Sequence, residues 1–261
     1  MNKPKVLSLW DSSISVFSGT VIGFLSGLIG VGGGEYRAPV LIYLLRLSAK
    51  FAIAANLLIG LFTVAVSFIG REGWQLPKQV LLISFIMMIT SPLGSYLSAH
   101  ATKKLKDSFL KRSLGILLII ASIKVFLDSH SFNENFKLTA GALILAALMG
   151  FLIGGLSGFL GVAGGEFRIP TLLLIFGMGI KTAGTANLLI SIPTVLFGFY
   201  KHKKLNHVDK RSIRISLWMG VFSVVGAILG ASLVMAIPET TLLRILSVMM
   251  IGIGIKMTWR P

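Results

Sequence analysis

The stretch Gly27-Leu28-Ile29-Gly30-Val31-Gly32-Gly33-Gly34-Glu35-Tyr36-Arg37-Ala38-Pro39 returns 131 residues later as Gly158-Phe159-Leu160-Gly161-Val162-Ala163-Gly164-Gly165-Glu166-Phe167-Arg168-Ile169-Pro170. Without any gap, 21 of the 42 positions from 23 to 64 are identical to those from 154 to 195. Lys50 aligns with Lys181, Asn56 with Asn187 and Thr63 with Thr194. With small length changes, Arg112 and Lys124 fall opposite Arg244 and Lys256. A repeat of this kind decides the architecture before any local reading does. The chain reads as two units, 1–130 and 131–261.

Over its 261 residues the chain is 54% apolar and 13% charged, with a mean hydropathy of +0.87. That composition excludes a soluble globule and points to an all-α integral membrane protein in a lipid bilayer. Ten apolar segments are expected, near 14–31, 36–47, 51–70, 78–99, 110–127, 138–160, 168–179, 182–200, 212–236 and 240–258. The N-terminus lacks a signal-peptidase pattern, so the first run is read as a retained span. The net charge of +16 sits mostly in short loops between apolar runs, as the positive-inside rule describes and a nucleic-acid footprint does not. Without cysteines, disulfides and thiolate metal sites are excluded.

Lys103, Lys104, Lys106, Lys111 and Arg112 make one loop strongly basic, and Lys201, Lys203, Lys204, Lys210, Arg211 and Arg214 another. Their counterparts in the other half are 236–241, which has no base, and 70–74, which has little net charge. Equivalent loops with opposite bias predict an inverted-topology repeat of about five segments per half. Both termini are then expected in the cytoplasm, in a cytoplasmic (inner) membrane.

Residues 36–47 would make a helix of about 18 Å against roughly 30 Å of hydrocarbon. A broken or re-entrant hairpin with its glycine tip inside the membrane fits this, and a glycine-rich surface turn is the alternative. The prolines predict that the short helices begin near Glu35 and its equivalent, with Pro39 and Pro170 in the first turn.

The candidate site follows from the repeated motif. Gly32, Gly33 and Gly34, with Gly164 and Gly165, permit backbones whose N–H groups converge on an anion. Gly23 and Gly27, and Gly154 and Gly158, have the spacing of close helix packing in lipid. Glu35 and Glu166 suit a helix N-terminus, whereas Arg37 and Arg168 oppose its dipole and are costly in a membrane. Either a structural Glu–Arg pair or an anionic ligand compensates them, and the ligand is favoured. Asn56 and Thr63, like Asn187 and Thr194, share a helix face, and each amide needs a helix or a solute as partner. Lys50 and Lys181 start spans and can snorkel.

Gly155-Leu156-Ser157-Gly158 matches the short serine motif of rhomboid proteases, but His100, His130, His202 and His207 all read as loop residues and offer no intramembrane base. No enzyme activity and no cofactor is expected, and the missing Walker A pattern excludes ATP-driven transport by this chain alone.

The paired glycine motifs ending in proline, within two halves of hydrophobic helices, resemble the sulfite exporter TauE/SafE family of membrane permeases. The resemblance spans the whole chain. It implies transport of small anions, chiefly sulfur oxyanions and organosulfonates, across prokaryotic cytoplasmic membranes. The expected partners are a small anionic solute and the bilayer, with no nucleic acid, and a homo-oligomer is compatible with the sequence. Two other classes stay open: a passive anion channel and a non-transporting membrane interaction protein.

Overall fold

A computed structural model describes residues 9–71, 75–101, 107–127, 138–160 and 162–259. All regular structure among them is helical: α1 (Leu9–Ile29), α2 (Gly34–Pro39) with a π turn (Val40–Leu44), α3 (Ala49–Gly70), α4 (Lys78–Ala101), α5 (Asp107–Leu127), α6 (Ala140–Leu160), α7 (Gly165–Leu174), α8 (Ile180–Lys204), α9 (Lys210–Leu233) and α10 (Glu239–Trp259). Ten helical segments thus occupy the ten apolar runs. Among the described residues seven helices are long and apolar enough to cross a membrane. The division of the chain at 130, the bases Lys103, Lys104 and Lys106, and His130 lie outside the described residues.

Each short helix starts on a glycine in the left-handed region, Gly33 at φ 69° and Gly164 at φ 77°. A Cβ there is disfavoured, so the glycines set where the chain turns back. The prolines fall one turn later than expected. Helices begin at Gly34 and Gly165, which puts Pro39 and Pro170 in the second turn. Having no N–H to give, Pro39 is followed by the π turn, closed by Leu45 N to Val40 O at 2.9 Å. At the end of this arm Arg46 takes φ 52°, where the equivalent residue is Gly177 at φ 63°.

The long helices pair across the halves. α1 lies beside α9 and α4 beside α6, both parallel: Gly19, Gly23 and Gly27 meet Met219, Ser223 and Ala227 in order, and Gly150, Gly154 and Gly158 meet Met87, Ser91 and Ser95. A Cβ on Gly23 or Gly154 would collide with the carbonyl of Ser223 or Ser91. The small-residue spacing is therefore used for backbone-to-backbone approach, as in other helices that pack in lipid. α3 runs antiparallel to α8, with Gly198 near Leu57 at one end and Gly184 against Arg71 at the other. α5 and α10 are likewise antiparallel, with Gly115 against Met257 and Gly254 against Ile119.

An apolar core joins α7, α8 and α10 through Ile169, Leu172, Phe176, Ala186, Leu246 and Met250. Large apolar side chains also cover the outside, among them Phe17, Phe85, Leu93, Ile120, Ile144, Leu217, Val221 and Val248. In water such a surface is costly, but against lipid tails it is not.

Candidate functional site

The two glycine loops meet in the middle of the chain's packing. Gly32 faces Ala163, Gly34 faces Val162, and Gly165 packs on the Val31 carbonyl. Gly33 and Gly164 instead pack back on their own preceding helices, at Ile22 and Ile153. The hairpins are not equally enclosed. Every residue from Gly165 to Pro170 is buried, whereas Glu35, Tyr36, Ala38 and Pro39 are half-buried.

Arg37 and Arg168 are both 0% exposed. The Arg37 guanidinium donates from Nε to Asn56 Oδ1 at 3.1 Å, from Nη1 to Thr63 Oγ1 and Ser223 Oγ at 3.2 Å each, and from Nη2 to the Gly32 carbonyl. Arg168 donates from Nη1 to Asn187 Oδ1 at 2.8 Å, Ser191 Oγ at 2.9 Å and the Ala163 carbonyl at 3.3 Å, and from Nη2 to Ser91 Oγ at 3.4 Å. The Nε of Arg168 is buried with no partner. Each asparagine also secures a glycine loop, Asn56 Nδ2 donating to Gly34 O at 3.0 Å and Asn187 Nδ2 to Gly30 O at 2.6 Å.

Asn56 and Thr63 therefore do act together, on Arg37. In the second half Thr194 donates to Ile190 O instead, and Ser191, one turn after Asn187, takes the arginine. Inward-facing carbonyls of Gly30, Gly32 and Gly34 accept bonds from these side chains. An arginine in a low-dielectric interior needs such oxygens around it, since an unpaired buried cation is far more costly than a paired one.

The glutamates do not form the Glu–Arg pairs that stood as the alternative to an anionic ligand. Among the described residues neither guanidinium forms an ion pair with Glu35 or Glu166. Instead the Glu35 and Glu166 carboxyl groups lie close to each other. Their Oε1 atoms are buried without partners, and Glu166 as a whole is 2% exposed. Arg168 and, from α10, Lys256 approach this pair, and Tyr36 beside it donates to Met249 O at 2.8 Å.

Sequence reasoning missed Ser91, Ser191, Ser223 and Arg71. Ser91 and Ser223 are equivalent at an offset of 132, the same offset that pairs Arg112 with Arg244, so that register extended backwards would have found them. Arg71 is buried at the end of α3 and was hidden in a loop of little net charge. His100 and His202 are corrections of another kind, since each lies in the last turn of a helix, α4 and α8. His202 is buried, with its Nδ1 at 3.0 Å from His207 Nδ1. Ser157 of the protease-like motif is buried and donates to the Val162 carbonyl of its own loop.

A family model described as Sulfite exporter TauE/SafE matches residues 3–125 and 145–261. The chain belongs to the TauE/SafE sulfite exporter family. It is thus a member of a family of membrane transporters. Relatives named as probable membrane transporters match all or part of the chain. One is the "Probable membrane transporter protein YunE" of Bacillus subtilis, 24% identical over 94% of this chain and 97% of that protein. A "Probable membrane transporter protein" of Xylella fastidiosa is 22% identical over 95% of each chain. The "Probable membrane transporter protein YdhB" of Bacillus subtilis is 35% identical over 38% of this chain and 39% of its own. No solved structure matches the chain.

Proposed function

We propose that this protein is a permease for a small anion, a sulfur oxyanion or organosulfonate, working by alternating access with proton coupling in a prokaryotic cytoplasmic membrane. The observation that carries the reading is the meeting of the two glycine loops, each backed by a wholly buried arginine. The units 1–130 and 131–261 form an inverted repeat in this reading. The antiparallel relations of α3 to α8 and of α5 to α10 support that geometry. The Asp11–Arg211 ion pair at 4.0 Å supports an α1 N-terminus on the side of the basic 201–214 loop, hence termini in the cytoplasm.

Gly32, Gly33, Gly34, Gly164 and Gly165 let the two loops approach, and Asn56 and Asn187 hold them. When substrate arrives, its oxygens take over donors of Arg37 and Arg168 that protein oxygens now occupy, beginning with the free Nε of Arg168. Two arginines against Glu35 and Glu166 leave a net positive charge for an anion whenever the carboxyl pair binds a proton. Two carboxyl groups this close disfavour carrying both negative charges, so gain or loss of protons at the pair changes the charge of the site. Such a change, coupled to rocking of one half against the other, is how proton and anion movement become linked.

The test replaces Arg37 or Arg168 with Gln and measures sulfite, thiosulfate and sulfonate flux in proteoliposomes. Saturable, pH-dependent flux that collapses in the variants is expected. Unchanged transport by both would remove the arginines from the site, and flux without saturation or pH dependence would indicate a passive pore.

A further inference from the structure

The described residues line an open cleft of about 550 Å³ between the end of α3, the start of α8 and the end of α9. Arg71, Gln75, Lys181, Thr182, Thr185 and Ser232 supply its polar lining. Resting on the permease reading above, we propose that this cleft is a second anion site, an entry vestibule that takes a small sulfonate- or sulfate-like oxyanion before it reaches the central arginines.

Arg71 is the anchor. Its Nε donates to Gly27 O at 2.8 Å and its Nη2 to Leu28 O at 2.5 Å, which ties it to the end of α1. Its Nη1 has only two long contacts, Lys181 O and Thr185 Oγ1, both at 3.4 Å. Charge-assisted bonds to an oxyanion run at about 2.7–2.9 Å, so an incoming oxygen is a better partner for Nη1 than either of these. Lys181 adds a second cation at the rim, with Nζ donating to Met235 O at 3.1 Å.

The floor of the cleft leads inward. Arg71 Nη1 lies against Gly184, Gly184 packs on Gly30, and the Gly30 carbonyl accepts from Asn187, which in turn holds Arg168. Two glycines separate the vestibule cation from the central pair.

The opposite ends of the same three helices are built otherwise. There Ala54, Ala55, Leu58, Phe199, Ser212 and Ser216 close together and leave no room for a water molecule. At the repeat spacing of 131, Thr185 corresponds to Ala54 and Arg71 to His202. One end of the α3–α8–α9 seam is open and cationic while the other is shut. The shut end carries the basic 201–214 loop, so the vestibule faces away from the cytoplasm.

The absence of native cysteines makes Ser232→Cys a clean reporter in the full-length chain. Membrane-impermeant anionic and cationic methanethiosulfonates are applied from outside, with rates normalised to a free thiol. The anionic reagent is expected to react about tenfold faster than the cationic one, as focusing in a cationic cleft predicts. Sulfate or 2-hydroxyethanesulfonate should slow it, and Lys181→Gln should weaken both effects. Arg71→Gln is the obvious variant but removes a tie to α1, so the rim variant Lys181→Gln keeps the test independent of folding. Equal normalised rates untouched by either anion, or labelling from the cytoplasmic side alone, would overturn the vestibule. Protection of the introduced thiol in a protein that transports no anion would support the vestibule while refuting the permease reading. Saturable flux without protection would do the reverse.

Discussion

Arg37 Nη1 donates to Ser223 Oγ at 3.2 Å across 186 residues of sequence, joining the first glycine hairpin to α9 in the other half. Arg168 makes the equivalent bond to Ser91 of α4 at 3.4 Å. Each half therefore supplies an acceptor to the buried cation of the other. Neither half can satisfy its arginine with the full set of bonds alone.

Ser223→Ala should destabilise the bundle by about 1.5 kcal/mol, the low end for a bond to a charged group, because Thr63 remains beside the same nitrogen. Ser91→Ala, acting on a longer contact, should cost less. Asn187→Ala should cost more than either, since it strands both Arg168 and the Gly30 carbonyl. Unfolding equilibria in a fixed detergent rank the three, and an Asn187→Ala variant as stable as wild type would contradict the network.

Gly23→Ala and Gly154→Ala place a Cβ onto the Ser223 and Ser91 carbonyls, so each should force a parallel helix pair apart at its arginine contact. Overpacking of this kind costs about 1–3 kcal/mol, and transport should fall with it. Gly252→Ala is the control, because nothing lies within 4 Å of a Cβ there. That change should be neutral or stabilise by up to about 1 kcal/mol through its helical propensity. Thermal unfolding of the three variants side by side is the measurement.

Replacing Glu166 with Gln keeps a hydrogen-bonding amide opposite Glu35 but removes one proton-binding group. Flux through the wild-type protein should vary with pH, and flux through Glu166→Gln should be nearly flat over the same range. Arg168, Lys256 and Tyr36 face the pair and are left unchanged, so a residual slope would be theirs. A variant with the full wild-type pH profile would remove the carboxyl pair from coupling.

His207, in the loop between α8 and α9, is held below the ordinary histidine range by partial burial and by the nearby Lys50 cation. The folded chain thus binds this proton less readily than the unfolded chain. Its contribution to stability is present above the unfolded value of about 6.5 and is lost as pH falls below it. Unfolding temperature should drop on acidification through that range, less steeply in His207→Gln. An identical slope in both proteins would assign the effect elsewhere.

Much of this was legible in the residues themselves. Hydropathy alone placed ten helical segments, because lipid admits few ways to hide a backbone. The offset of 131 identified Arg37 with Arg168 and Asn56 with Asn187 before any coordinates, and the spacing of Asn56 and Thr63 put them on one face, where both do meet Arg37. What the tertiary structure decided was partnership. Opposite formal charges two residues apart suggested Glu–Arg pairs, yet the short helices direct each arginine to hydroxyl and amide oxygens and bring the two carboxyls together. Arg71 lay in an unremarkable loop until α1, α3 and α8 converged on it. A local pattern specifies which side chains share a helix face, because helical geometry is fixed over a few residues. Which polar group meets which across a bundle depends on how whole helices pack, and near-equivalent halves can pack their equivalent residues differently.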